Sequence, residues 1–134
     1  MTGTGSQDDI RTVLDETLEA FNTGDAERLR ATLSERPDAI HIGSDAEEWW
    51  TSKQLLDATA ADLANEHDVR VVADDIGIHV LDDAAWLEGR GRFTRADGAE
   101  RPVRMTCVMV REDGQWKVVQ IHASIGVPNA DIFS

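Results

Sequence analysis

The residues best suited to chemistry in this 134-residue chain are a histidine and an aspartate four positions apart, His41 and Asp45. Histidine changes protonation near neutral pH, and a nearby carboxylate can orient it, so the pair could perform general acid/base catalysis. Each residue also has a structural interpretation, because a half-buried histidine often makes a hydrogen bond to the backbone and aspartate is common in turns. We favour the structural interpretation and keep acid/base catalysis as the alternative.

A second group of polar side chains falls at alternating positions in the last third of the chain, where three strands are predicted. The alternation places its members on one sheet face: Trp86, Glu88, Arg90, Arg104, Thr106, Trp116, Gln120 and His122. As a site, this face would offer a carboxylate, two guanidinium groups and an imidazole. As structure, it would be a dimer interface with two tryptophan anchors. We favour the interface, because a flat sheet face makes a poor concave site.

Two Asp-Gly turns set the register of the three strands. Each is predicted to close a three-residue loop, residues 96–98 and 112–114, in which the glycine takes a left-handed conformation. Loops of this length predict four cross-strand pairs: Arg90 with Arg104, Glu88 with Thr106, Arg104 with His122, and Thr106 with Gln120.

The opposite face of these strands is apolar and needs a cover, which the preceding elements can supply. They are a helix from near Ser6 to Gly24, a second helix capped by Asp25, a short strand over residues 39–42 and a third helix capped by Thr51 or Ser52. Helices gathered before an antiparallel meander imply an α+β fold, with the helices on one face of a curved sheet.

Several signals predict that the sheet curves strongly. Gly89 and Gly91 lie on the apolar face, where a bend leaves little room for side chains. The strand predicted before them, residues 69–81, is expected to bulge at Asp74-Asp75. A curved sheet under helices encloses an apolar hollow. Its predicted lining is Phe93, Met105, Cys107, Ile121 and Ala123, with Trp49 or Trp50 at the mouth. For one of the two tryptophans, core packing is an equal alternative.

The charge balance narrows the range of partners. The chain has 26 acidic and 13 basic residues, a net charge of −13. Nucleic-acid binders need concentrated Lys and Arg, so we expect no nucleic-acid partner. No apolar run approaches the ~20 residues of a membrane span, and the polar N-terminus is unlike a signal peptide. We therefore expect a cytoplasmic protein with no membrane partner.

The cysteine and the histidines give little support to redox or metal chemistry. Cys107 is the single cysteine, which excludes an internal disulfide, and its apolar face favours packing over a nucleophilic role. The four histidines are far apart in the sequence, and neither His67 nor His79 has an evident partner. We expect no metal and no cofactor.

Three stretches carry a resemblance to a known family: FNTGDAERLRATL, IHIGSDAEEWW and REDGQWKVVQIHASIGVPN. They resemble the nuclear-transport-factor-2-like (NTF2-like) superfamily, and within it the bacterial SnoaL-like proteins. The resemblance covers nearly the whole chain and implies one domain over residues 1–134. It implies a cone-shaped, cystatin-like α+β fold, dimerisation through the sheet and a pocket inside the cone.

The resemblance does not imply one activity, since the superfamily includes isomerases, dehydratases, polyketide cyclases, transport factors and assembly domains. The chain is also similar to the association domain of calmodulin-dependent kinase II, which has arginines lining its pocket. This chain has Cys107 and Ala123 at the matching positions. The isomerase branch uses buried carboxylic acids and a tyrosine, and this chain has no tyrosine.

Three functional hypotheses follow. The first is a pocket protein that binds a small apolar or weakly polar molecule, with His41 or Asp45 fixing one polar end. The second is an acid/base enzyme of the cyclase, isomerase or dehydratase type that uses His41 and Asp45. The third is a homodimerisation module whose pocket is vestigial.

Overall fold

The computed structural model describes residues 3–65 and 68–134, with side chains described for 6–61 and 68–134. Within them lie three α-helices: α1 (Gly3–Thr23), α2 (Ala26–Thr32) and α3 (Ser52–Asn65). The strands are β1 (Ile40–Ile42), β2 (Trp49–Thr51), β3 (Arg70–Leu81), β4 (Ala84–Thr94), β5 (Glu100–Glu112) and β6 (Gln115–Ser124). A short 3-10 helix, Asn129–Asp131, follows the last strand.

The six strands form one sheet in the order β2-β1-β6-β5-β4-β3. All neighbours are antiparallel except β1 and β6, which run parallel and pair at Ile42 and His122. The helices cover one face of the curved sheet, so the predicted α+β fold is confirmed. Strand β2 was not predicted, because only a junction before the third helix was expected at Trp49-Trp50.

The helix ends follow from local signals. Helix α1 ends before Gly24, whose φ of +65° is the left-handed conformation expected there. Asp25 caps α2 by accepting a hydrogen bond from the backbone N–H of Arg28 at 3.1 Å. Thr51 and Gln54 form a reciprocal capping box at the start of α3. Ser6 does not cap α1, because it lies inside the helix.

The register at the β5–β6 turn differs from the prediction. Asp113 and Gly114 have φ of +51° and +79°, so the turn has two residues, as in a type I′ hairpin, and Arg111 pairs with Trp116. Further along β6, Val119 bulges out between the pairs Met109–Val118 and Val108–Gln120. The predicted pairs of His122 with Arg104 and Gln120 with Thr106 are wrong, because the shorter turn and the bulge together shift β6 by two residues. The pairs are Thr106 with His122 and Arg104 with Ser124.

The β4–β5 register matches the prediction. The N–H of Arg95 bonds the carbonyl of Ala99 across a three-residue loop, and Gly98 has a φ of +90°. The predicted pairs Arg90–Arg104 and Glu88–Thr106 are therefore confirmed.

Curvature arises where β3 bulges beside the glycines of β4. The register of β3 against β4 shifts between Ala73 and Asp75, which confirms the predicted bulge. Gly91 pairs with Ala73, and a Cβ at Gly91 would collide with the carbonyl oxygen of Val72. The bend therefore depends on the absence of a side chain at this position.

We predict that Gly91→Ala lowers the free energy of unfolding by about 2–3 kcal/mol, because the new methyl group must push the β3 backbone away. The control is Gly126→Ala, whose new methyl group would meet only the flexible Arg104 side chain at 3.4 Å. Urea denaturation of both variants measures the effect. Equal stability of the two variants would contradict this account of the bend.

Candidate functional site

A hollow of about 810 Å³ lies between the helices and the inner face of the sheet. Its volume is within the range of small-molecule sites, about 300–1,000 Å³. The lining is largely apolar and includes Phe93, Met105, Ile121 and Ala123, which the strand pattern predicted, and Trp50, which was predicted at the mouth. His41 and Asp45 line it as well.

The prediction missed the wall contributed by the helices and by β3. They include Leu18, Phe21, Leu55 and Thr59 from the helices, Val71 from β3, and Val69 immediately before β3. In the sequence, apolar residues at helical spacing, such as Leu18 and Phe21 in α1 and Leu55 in α3, mark the inward faces of these helices. This spacing does not show which residues pack in the core and which border open space.

Two residues predicted to line the hollow lie elsewhere. Trp49 pairs with Ile42 on the outer face of the sheet and is 66% exposed, because alternation along β2 turns it away from Trp50. Cys107 is 2% exposed and belongs to the hydrophobic core beneath the hollow. Burial raises the pKa of its thiol to about 12, so it remains a neutral thiol at physiological pH.

His41 is the most enclosed polar group in the wall of the hollow. Its ring is 2% exposed, and its Nε2 atom lies 3.0 Å from the Ser52 hydroxyl oxygen. That hydroxyl lies 2.7 Å from the carbonyl oxygen of Ser34, to which it donates a hydrogen bond. Burial lowers the pKa of His41 to about 4, so the imidazole is neutral at pH 7.

The second ring nitrogen of His41 is unpaired. Nδ1 is buried and has no hydrogen-bond partner among the residues whose side chains the structure describes. Such a group is costly to enclose, about 1–3 kcal/mol, and is therefore uncommon outside functional sites.

Asp45 has a local structural role. Its carboxylate accepts a hydrogen bond from the N–H of Glu47 at 2.9 Å, and its own N–H donates to the Glu48 carboxylate at 2.7 Å. In the described part of the chain no hydrogen bond joins Asp45 to His41. The two residues line the same hollow without forming an acid/base pair in this arrangement.

The charge around the hollow is negative. Asp45, Glu47 and Glu48 lie in the β1–β2 turn that borders it, and no lysine or arginine lines it among residues 6–61 and 68–134. Asn22 is another neutral polar side chain of the wall, and both ends of its amide bind the backbone of Val71 at 2.7 and 2.9 Å. The hollow therefore offers mainly apolar contacts, with the largely covered ring of His41 in its wall.

The outer face of the sheet carries the other predicted residues, with one exception. Trp116 is 5% exposed and lies in the core, where Arg111 stacks 4.8 Å above its ring, so its assignment to the outer face is wrong. The two-residue turn places Trp116 on the inner face. Trp49 lies on the outer face in its place, in the same row of paired residues as His122.

Trp86 is 47% exposed and stacks on His79, with ring centroids 5.3 Å apart. The Nε2 atom of His79 lies 2.7 Å from the Glu88 carboxylate, so His79 has two partners that the sequence did not reveal. His67 lies outside the described residues.

A second depression, of about 620 Å³, lies on this outer face. Its polar lining contains Asp75, Glu88, Arg90, Arg104, Thr106, His122 and Ser124. The outer face is therefore less flat than predicted from the strand pattern. Gln120 lies opposite Val108, one row away.

Two further observations concern metals and membranes. In the described ranges, no three His, Cys, Asp or Glu side chains are close enough to hold a metal ion together. Nor does any helix found there have the length and apolar character needed to cross a membrane.

We predict that stability depends on pH through His41. In the unfolded chain the His41 imidazole is half protonated at its ordinary pKa of 6.5, whereas in the folded protein this occurs only at about pH 4. The contribution of neutral His41 to the free energy of unfolding is therefore fully present above pH 6.5 and is lost as the pH falls towards 4.

Between pH 7 and pH 5, the wild-type protein should lose about 2 kcal/mol more stability than a His41→Gln variant. Glutamine is the control because it cannot titrate yet can still donate to Ser52. Urea denaturation at both pH values gives the difference. Parallel losses would mean that His41 is solvated or already charged.

Comparison with known proteins supports one family. Residues 10–128 match the family model of the SnoaL-like domain. No curated protein sequence matches the chain significantly.

Three solved structures illustrate the shared fold. An NTF2-like superfamily protein from Salmonella enterica serovar Typhimurium has a TM-score of 0.83 at 16% identity, with 99% of each chain covered. A candidate dehydratase of the NTF2-like family from Streptomyces avermitilis has a TM-score of 0.76 at 18% identity, covering 95% of this chain and 100% of that one. A protein of unknown function with a cystatin-like fold from Nostoc punctiforme has a TM-score of 0.75 at 14% identity, covering 90% of each.

At these identities the structures establish the fold alone. The family model covers most of the chain, and the helices and curved sheet agree with it. The chain therefore belongs to the SnoaL-like family and has the NTF2-like, cystatin-like α+β fold.

Proposed function

We propose that this protein binds neutral, largely apolar small molecules in the hollow between its helices and its sheet. The observation that carries the proposal is the lining: the residues with described side chains that surround about 810 Å³ are largely aromatic and aliphatic and include no lysine or arginine. The proposal places the protein in the cytoplasm, with no nucleic-acid or membrane partner.

The energetics favour a neutral ligand. Apolar surface gains about 25 cal/mol for each Å² buried, and Met105 can adapt to an irregular shape. A carboxylate would lose its hydration without meeting a cation in the lining. The acidic β1–β2 turn and the net charge of −13 add a longer-range repulsion of anions, which salt weakens.

Acid/base catalysis is the second candidate function, and one observation favours it. His41 is held neutral and has a free ring nitrogen, as a general base requires. If turnover is lost in a His41→Ala variant but retained in Asp45→Asn, His41 acts as the general base without Asp45 as its partner. If the protein shows neither ligand binding nor turnover, the remaining hypothesis is a dimerisation module with a vestigial pocket.

We further propose that the outer sheet face joins two copies of the chain in a homodimer. Trp49 and Trp86 are large apolar groups on a face that the helices leave uncovered. Arg90 and Arg104 lie opposite each other, and neither forms an ion pair with any carboxylate in the part of the chain with described side chains. Acidic residues of a second copy could neutralise them across a two-fold interface.

A thermal-shift screen of matched neutral and carboxylate compounds tests the ligand class. We expect stabilisation by the neutral member of each pair, since only that member avoids burying an unpaired charge. Stabilisation by the carboxylates alone would contradict the proposal and would point to Arg90 or Arg104 as part of the true site.

Ala123→Phe should abolish the stabilisation, because a phenyl group there would fill part of the hollow. Ala60→Phe on the exposed surface of α3 is the matched control and should leave it unchanged. Equal responses of the two variants would show that the compounds bind elsewhere.

Light scattering tests the homodimer, which we expect at micromolar concentration. Arg104→Ala should weaken the dimer because it removes a charged contact, with ligand binding in the hollow unchanged. Arg30→Ala, on exposed α2, is the control and should remain dimeric.

A wild-type monomer at high concentration would contradict the dimer. An Arg104→Ala variant that stays dimeric but loses ligand binding would show that the outer depression is the binding site.

A further inference from the structure

The hydrogen bonds behind His41 fix the position of its proton. The carbonyl oxygen of Ser34 can only accept, so the Ser52 hydroxyl, 2.7 Å away, must direct its single proton towards it. The same hydroxyl oxygen lies 3.0 Å from His41 Nε2 and is left only with lone pairs there. Nε2 must therefore carry the ring proton, and a neutral ring then has a bare lone pair on Nδ1.

This lone pair is the unpaired buried atom described above. His41 is in the wall of the hollow, on the same side of the β1–β2 hairpin as Trp50. Nδ1 can accept one hydrogen bond and, in this tautomer, cannot donate one. Ser52 is fixed at the start of α3 and Ser34 follows α2, so two helix ends hold the ring in place.

Ser44 and Glu47 of the wall are exposed to solvent, whereas other polar groups of the wall are already engaged within the protein. The Asn22 amide is bound at both ends to Val71, and the Thr59 hydroxyl donates to the carbonyl of Leu55 at 2.8 Å. The Asp45 carboxylate caps its own turn. Among the described side chains, His41 thus stands out as the enclosed polar residue of the wall with an unmet acceptor, and a ligand must displace the atoms that cover Nδ1 to donate to it.

We infer that His41 determines the specificity of the hollow by requiring a ligand that brings a hydrogen-bond donor. The ligand class is a compact apolar body carrying one hydroxyl or N–H group, such as a phenol, an alcohol or an azole. Ethers and ketones of the same shape are disfavoured, because they would place a second acceptor against Nδ1. This inference rests on the proposed function and narrows its ligand.

Indole and benzofuran are suitable probes because they share one bicyclic shape and differ at a single ring atom, N–H against O. We expect indole to bind the wild-type protein about tenfold more tightly, the ratio that one satisfied buried acceptor gives. The ratio should fall to near one in His41→Leu. It should recover partly in His41→Gln, whose amide can donate to Ser52 and accept from the ligand.

Nitrogen-15 NMR of the wild-type imidazole tests the tautomer without any variant. We expect a protonated Nε2 and an unprotonated Nδ1, with the Nδ1 resonance shifting when indole is added. A protonated Nδ1 would overturn the inference, even if the leucine variant failed to fold.

The binding data separate the two proposals. Equal affinity of both probes for the wild-type protein would overturn the donor requirement and leave the apolar pocket intact. Binding of neither probe would overturn the proposed function, and the inferred ligand class with it.

Discussion

One extra residue in β6 determines what each face of the sheet does. Before the Val119 bulge, Trp116 and Val118 point into the core. After it, Ile121 and Ala123 point inward and border the hollow instead. The bulge shifts the alternation of inward and outward side chains by one residue. One strand therefore contributes to the core before the bulge and to the wall of the hollow after it. The type I′ turn makes the bulge necessary, because without it Ile121 would face outward.

This constraint explains where prediction from the sequence succeeded and failed. The helices, the Asn22–Gly24 stop, the β3 bulge and the β4–β5 register follow from local signals of single residues. The β5–β6 register does not, since Glu-Asp-Gly fits both two- and three-residue loops. At residues 120–123 the bulge compensates for the wrongly predicted turn, so these residues were assigned to the correct faces. Trp116 precedes the bulge and was therefore assigned to the wrong face. Trp49 was misplaced because the sequence carries no signal for a strand as short as β2. Neighbouring residues of a strand lie on opposite faces, so an error of one residue exchanges the positions of Trp49 and Trp50.

Polar contacts, in addition to apolar packing, join the helices to the sheet at the edges of the hollow. Asn22 ties the end of α1 to β3, and Ser52 ties the start of α3 to His41 of β1. Hydrogen bonds have preferred lengths and directions, so they hold these elements at a set separation. Apolar side chains have no such restriction and could close the gap. The sequence revealed His41 as a candidate but not its partner Ser52, which contacts it across eleven residues of chain.

The two faces of the sheet share strands β5 and β6, and this links the hollow to the outer face. Met105 and Ile121 border the hollow, while their neighbours Thr106 and His122 pair on the outside. The two faces are therefore set by one backbone, because a one-residue shift in the register of β5 or β6 would exchange the residues of the hollow with those of the outer row.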